Sequence, residues 1–436
     1  MIPELRGRFN QGFSQEGYSL LLQRLERRCG GRVGFRVAET PIFVPLTLLE
    51  EMAAAGAEMT HWLMGNAGYL AAARRAIPAQ FLVAGETAHP NFLTADFGLV
   101  REASGELVPK LVEIQAFPSV YGYQDELCSS YREAFALPGG LGCFLGGLDE
   151  ASYWELMART VLGKHNAENV VLTELDPQNQ KTRPDFEVTA RRLGIAVVDI
   201  RSLEAVGNKL HYRGPGGGLV PIHRIYNRAI ADELIARKIE LTFDLTEKWD
   251  VEWAGHPNWY FLISKFSIPW LSSAGVEGAG STGAQTVPPA VFLDDFLERA
   301  GREQLVGAGV PLSAEVEKDH IYGDLLLKPL FSFAGKGIEF DPTQGQLEAI
   351  PAEQRAEFLL QQRMRFEPTI ETPHGLTQAE IRILYLWPDG GDLTPVLSLV
   401  RLGRGKMMGV DHNKNQQWVG ASAAFFPTGA LPYPSS

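Results

Sequence analysis

The spacing of apolar residues changes character several times along the chain. In "GYSLLLQRLERR" Leu21, Leu22 and Leu25 recur at helical spacing, and "LTLLEEMAAAGAEMTHWLM" continues with strong helix formers. Residues 15–84 are therefore read as mostly helical. From Thr94 the pattern becomes that of strands. Two strand-like runs flank "ASGE", which predicts a hairpin over 94–115 with Ser104 and Gly105 at its tip. "NVVLTELDPQNQKTRPDFEVTARRLGIAVVDI" then reads strand, loop, helix, strand, the pattern of an α/β unit. "KLHYRGPGGGLVPIHRIYNR" reads as a hairpin turned by its glycine run and leading into a buried strand.

Segment 272–289, "SSAGVEGAGSTGAQTVPP", is rich in Gly and Ser and is expected to form a mobile surface loop. Beyond it, "DLLLKPLFSFAGKGIEF" predicts two strands around a glycine turn, and "AEFLLQQRM" a helix end or a strand. "AEIRILYLW" and "TPVLSLVRLG" are strands, and the closing "LPYPSS" is expected to fray. No internal repeat interrupts this mixture, so the class is α/β or α+β.

Length and composition narrow the function classes. At 436 residues the chain exceeds one compact core, and two or three domains are expected. Hydrophobic residues make up 45% and charged residues 21%, the balance of a globular protein. A net charge of −12 argues against a nucleic-acid or anionic-membrane partner. Cys29, Cys128 and Cys143 include no CxxC pair, so neither a disulfide framework nor a thiolate metal site is indicated. The start, "MIPELRGRFNQGFS", lacks a signal peptide's apolar core, and no apolar run is long enough to span a bilayer. A cytoplasmic location is the expectation.

The hairpin poses a problem of charge. With Ser104 and Gly105 as its loop, Asp96 faces Glu113 and Thr94 faces Gln115. Like charges directly opposite on antiparallel strands repel. The pair could point to solvent or sit in a slipped register, but "KLVEIQAFP" is apolar around Glu113. A divalent cation would remove the conflict. Mg²⁺ takes oxygen ligands from one or two carboxylates, and Gln115 shares Glu113's face of the strand. Lys328 closes an apolar strand before a flexible turn at Gly335, Lys336 and Gly337, a combination that suits phosphate. Lys265 also lies in apolar surroundings, and Arg382 sits within a strand, where it can meet a carboxylate or phosphate. His61, His89 and His320 lack metal-ligand spacing, and GxxxxGK[ST] is absent.

Together these segments resemble the circularly permuted ATP-grasp ligases, such as eukaryotic glutathione synthetase and glutathionylspermidine synthetase. In those families an Asp on one strand and a Glu-x-Asn on the next bind Mg²⁺; the matching residues are Asp96 and "EIQ", with Gln115 in place of Asn. The first ATP lysine matches Lys265 in "SKFSIPWL", and the second matches Lys328 in "LKPLFSFAGKG". The adenine hinge resembles "FLLQQRM", which puts Gln362 where a Glu commonly stands. Three positions depart from the pattern: Thr94 stands where the relatives often carry an Arg, Ser332 where their lid often supplies a Glu, and the Gln115 amide is one methylene longer than Asn.

The resemblance implies an ATP-grasp fold, circularly permuted, with a Rossmann-like α/β substrate domain and a glycine-rich lid. It divides the chain into a helical segment 1–93, a metal-binding hairpin region 94–165, a substrate-side domain 166–260 and a nucleotide-binding region 261–430. The implied activity is ATP- and Mg²⁺-dependent joining of a small-molecule carboxylate to an amine, peptide-like molecules among them. Lys265, Lys328, Ser332, Gly335, Lys336, Gly337 and Gln362 would hold ATP, and Asp96, Glu113 and Gln115 the metal. Arg382 is the candidate for the oxyanion role left vacant at Thr94. The alternatives are a nucleotide-binding protein that has lost ligase chemistry and an ATP-dependent phosphotransferase. Nothing in the sequence argues for an oligomer.

Overall fold

The computed structural model describes residues 1–276, 282–312, 318–332, 335–406, 408 and 415–429. Its largest sheet contains β1 (Ile42–Phe43), β2 (Phe92–Arg101), β3 (Leu107–Gln115) and β4 (Leu141–Gly142) from the first half of the chain. The second half adds β16 (Ile370–Thr372), β17 (Gly375–Leu386), β18 (Thr394–Gly403) and β19 (Gly420–Pro427). The order is β1-β19-β18-β17-β2-β3, with β4 on β19 and β16 on β17. Only the β1–β19 pairing is parallel, so the sheet is mixed.

A second sheet is wholly parallel: β5 (Val170–Glu174), β6 (Ala196–Asp199), β10 (Arg224–Asn227) and β11 (Glu252–Ala254), in the order β11-β10-β5-β6. The expected strand–helix–strand unit is its core, with helix α7 (Arg183–Leu193) crossing from β5 to β6. β7 (Glu204–Val206), β8 (Lys209–Arg213) and β9 (Leu219–Pro221) form a small antiparallel sheet beside it. The fourth sheet, β12-β15-β13-β14, joins β12 (Ala290–Phe292), β13 (Leu325–Pro329), β14 (Glu339–Phe340) and β15 (Phe358–Gln362). Among the described residues no helix is long and apolar enough to cross a membrane.

The helices are α1 (Pro3–Gly12), α2 (Gln15–Arg28), α3 (Leu46–Gly65), α4 (Ala67–Arg75), α5 (Tyr121–Ala134) and α6 (Glu150–Leu162), besides α7 and shorter later ones. Alternation along the strands of the large sheet divides its side chains between two cores. Ala95, Phe97, Ile381, Ile383 and Tyr385 belong to the core that contains Leu49, Met52 and Met59 of α3. Phe92, Leu384 and Leu397, on the opposite face, share a core with Tyr121, Leu127 and Tyr131 of α5. That second face also carries Thr94, Asp96 and Arg382, since side chains two apart share a face.

Three expectations need correction. Where it is described, segment 272–289 is not a loop, residues 277–281 lying outside the described residues: helix Ser267–Val276 runs into it, and a helical turn, Thr282–Gln285, packs on α3, where Gly283 donates its N–H to Glu58 at 2.8 Å. A Cβ at Gly283 would lie 2.9 Å from the Ala55 carbonyl oxygen, so glycine there serves close packing and not flexibility. The turn of the β2–β3 hairpin is also one residue longer than expected. Arg101 faces Leu107, and Gly105 takes a left-handed φ of 87°. Within 15–84, residues 30–45 are not helical, because Val37 and β1 pair with the last strand. The "LPYPSS" terminus lies outside the described residues.

At Gly56 of α3 an added Cβ would lie 2.2 Å from the Tyr385 hydroxyl and 3.1 Å from the Ala95 Cβ. Gly→Ala inside a helix ordinarily gains about 1 kcal/mol, whereas overpacking a tight core costs roughly 1–3 kcal/mol. Overpacking wins. Gly56→Ala is expected to lower stability in urea unfolding, and the loss should shrink when Tyr385→Phe removes the clashing oxygen. A stabilised Gly56→Ala protein would contradict this packing.

Candidate functional site

The charged residues of the large sheet stand in rows across its strands. Glu113, Asp96 and Arg382 face one another on β3, β2 and β17. In the next row on the same face, Gly98 meets Glu380 of β17, which meets Arg401 of β18. The expected confrontation of Asp96 and Glu113 is present, but it arises by compensation. Near the turn the longer loop shifts the pairing by one residue, and a bulge at Val112 shifts it back between Phe97 and Asp96. A bulge turns its extra residue out of the ladder. The Val112 carbonyl oxygen accepts from Lys328 Nζ at 3.4 Å.

Cations from neighbouring strands, not a gap for an ion, reconcile the two carboxylates. Arg382 grips Asp96 with both edges of its fork, Nε to Oδ1 at 2.5 Å and Nη2 to Oδ2 at 2.6 Å. Arg401 Nη1 donates to Asp96 Oδ2 at 3.0 Å and also to Glu380. Glu113 lies between two cations, with Oε1 3.5 Å from Arg382 Nη2 and Oε2 3.5 Å from Lys265 Nζ. Arg382 Nη1 completes its donations at Ser119 Oγ, 3.2 Å away. Burial pushes the Asp96 carboxyl up, and the two guanidinium groups more than reverse it, holding Asp96 below its ordinary value. Burial raises Glu380, with Arg401 opposing and Asp96 and Glu113 reinforcing the rise.

The two lysines converge on the same place from separate segments. Lys265 is 3% exposed and donates to the Ser332 carbonyl oxygen at 2.6 Å. Lys328, 4% exposed on β13, donates to Gln361 Oε1 at 2.5 Å. Burial lowers its ammonium to about 8; Glu113 opposes this and Lys265 adds to it. Its hydrogen-bond partners, Gln361 and the Val112 carbonyl, are both neutral. A buried ammonium without a bonded anion is costly. Gln361 Nε2 is buried and lacks a hydrogen-bond partner among the described residues. Gln115, Tyr260, Lys265, Phe331 and Ser332 line a small cleft beside this pair.

The fold thus brings together Asp96, Glu113, Gln115, Lys265, Lys328, Ser332 and Arg382. Others stand differently. Gly335 and Gly337 form the expected turn with φ of 73° and 77°, but Lys336 is exposed at its tip, and 333–334 lie outside the described residues. Gln362 alternates to the face of β15 away from Lys328, which leaves Gln361 as the lysine's partner. Arg382 is committed to Asp96 and is not free for an oxyanion. Arg401 and Glu380 were missed, although each is a charge within an otherwise apolar strand, and that is a readable signal.

The expected magnesium site does not fit this arrangement. Both Asp96 oxygens already accept from guanidinium groups, and an incoming ion would have to displace them. Among the described residues no group of three or more His, Cys, Asp or Glu side chains is arranged to hold a metal.

No protein-family model matches the chain, and no curated protein matches it. Its structure is similar to that of a glutathione synthetase-like effector from Globodera pallida in its apo form, with a TM-score of 0.54 and 11% identity over 98% of this chain and 99% of that one. A Methylobacillus flagellatus protein named as a gamma-glutamylcysteine synthetase superposes with a TM-score of 0.37 at 13% identity, over 84% of this chain and 85% of that one. That second likeness is too loose to bear on the fold. The first defines a class: a mixed α/β protein with a large mixed sheet and a glutathione synthetase-like fold.

Removing the Asp96 carboxylate tests the ion network. Breaking a buried pair costs about 3–5 kcal/mol, because the partner charge is left uncompensated. Asp96→Ala is therefore expected to lose stability of that order in denaturant unfolding without added metal. An open carboxylate pair would behave oppositely, since losing one member would relieve repulsion and stabilise the protein.

Proposed function

We propose that the chain is an ATP-dependent ligase of the ATP-grasp type, circularly permuted, that joins a carboxylate to an amine and releases ADP and phosphate. One observation carries this reading: Lys265 and Lys328 converge, buried, and Lys328 has only neutral oxygens bonded to it. An anion of phosphate type supplies the missing charge. The two ammonium groups would hold the transferred phosphate and offset the charge that develops on its oxygens. The turn at Gly335–Gly337 would close over the site and keep water from the acyl phosphate. In the first step a carboxylate oxygen attacks the γ-phosphorus and the bond to ADP breaks. In the second the amine nitrogen attacks the acyl carbon, phosphate leaves, and the amine gives up its proton.

Magnesium is given no step here, because Asp96 is closed by arginines. That closure, with Thr94 and Ser332 at the departures from the family pattern, favours a second reading: a nucleotide-binding protein of the same fold without ligase chemistry.

Product analysis separates the two. With ATP, a panel of carboxylates and hydroxylamine in place of the amine, the ligase forms ADP, phosphate and a hydroxamate. AMP as the nucleotide product would refute the mechanism, and ATP binding without turnover selects the second reading. Lys328→Ala should lower turnover by about 10²–10³-fold while the fold survives.

The lowered Lys328 also sets a pH dependence. Its ammonium is present below about 8 and lost above it, so nucleotide affinity should be full near neutrality and fall as pH rises through that value. Lys328→Arg, which keeps its charge, should flatten the profile; an unchanged profile in that variant would clear Lys328 of the role.

A further inference from the structure

We infer that Arg382 and Arg401 take the place of a divalent cation in this site, so that its phosphate-bearing ligand binds without metal. The inference rests on the nucleotide reading for the identity of the ligand, but not for the charge arrangement itself.

The charge count comes first. Asp96, Glu113 and Glu380 are three carboxyl groups, and Lys265, Lys328, Arg382 and Arg401 are four cations, which leaves +1 with every group ionised. Without the two arginines the same cluster would stand at −1 and would repel a polyphosphate. The pair therefore contributes the two positive charges of one divalent ion. A metal added to the cluster as it stands would raise it to +3 in a buried site. Like charges a few ångströms apart repel more strongly in a buried site than in water.

Geometry points the same way. Arg382 bridges Asp96 and Glu113, and Arg401 bridges Asp96 and Glu380, so each guanidinium ties two carboxylates as a shared metal ion would. Mg²⁺ needs octahedral oxygen ligands and usually keeps several waters. Asp96 is 1% exposed, and the neighbouring row is closed where the Phe366 ring covers Gly98: a Cβ there would lie 2.2 Å from the ring. Neither Asp96 oxygen is left free for a hydrated ion. A guanidinium also cannot be deprotonated in this range or removed by a chelator.

The test is calorimetric titration of the full chain with ATP, once with Mg²⁺ and once with EDTA, alongside Mn²⁺ alone followed by electron paramagnetic resonance. The dissociation constants in the two buffers should differ by less than about tenfold. Wild type should leave the free Mn²⁺ signal unchanged, and Arg382→Ala, which opens Asp96, should reduce it. Affinity lower in EDTA by about tenfold or more, or stoichiometric Mn²⁺ binding by wild type, overturns the inference. If ATP binds in neither buffer the nucleotide reading falls, and the Mn²⁺ titration of wild type decides the substitution alone. That titration also stands if Arg382→Ala does not fold.

Discussion

The forked contact between Arg382 and Asp96 is the interaction on which the rest of the site depends. It joins residues 286 positions apart and fixes the middle of the large sheet from β17 to β2. Without it, the buried Asp96 and the partly buried Glu113 would confront each other on adjacent strands. Buried ion pairs seldom repay their desolvation against a well-packed apolar alternative. A cluster of three acids and four cations is therefore poor evidence of selection for stability. On the proposed reading it serves as a prearranged field for an anion, with the positive surplus lying on the lysine side.

The register that produces this field is narrowly set. β2 buries both of its faces, one against α3 and the other towards α5 and the charged rows. A slip of one residue would exchange Asp96 for Phe97 between the two sides. The bulge at Val112 absorbs the extra residue of the turn and keeps Glu113 opposite Asp96. It also turns a carbonyl towards Lys328, so one irregularity both corrects the pairing and provides a neutral partner for the lysine. Lys328 is thereby hydrogen-bonded without gaining a bonded anion.

Hydrogen bonds carry the arrangement across to the parallel sheet. Ser119 accepts from Arg382 through its hydroxyl and from Arg228, just beyond β10, through its carbonyl oxygen. Arg228 lies 3.9 Å from Asp185 of α7. Asp185 Oδ1 in turn accepts the N–H groups of Gly122 and Tyr123 at 2.8 and 3.1 Å. A carboxylate of one helix thus satisfies the first free donors of another, which fixes where α5 starts and where Ser119 stands. The segment between β3 and α5 is the mechanical link between the charged rows and the parallel sheet.

The amino-acid sequence by itself determined the local elements and the identities of the main charges. Strand-like runs flanking a short turn marked the β2–β3 hairpin, the apolar runs of β17 and β18 read as strands, and a strand, loop, helix, strand pattern marked the β5–α7–β6 unit. Lys265, Lys328, Asp96 and Glu113 were legible because each is a charge set in apolar surroundings. What neutralises each charge was decided only by the tertiary structure. A strand's neighbours in a sheet come from anywhere in the chain, so no local period says that Arg382 and Arg401 reach Asp96. Nor does it say that Gln361, and not Gln362, faces Lys328, since that depends on which face of β15 turns towards β13's lysine. Gly283 looked like flexibility because composition cannot distinguish a residue that is small in order to move from one that is small in order to fit against α3. The pair of carboxylates was written in the hairpin; the cations that hold them together were supplied by strands folded in from the far end of the chain.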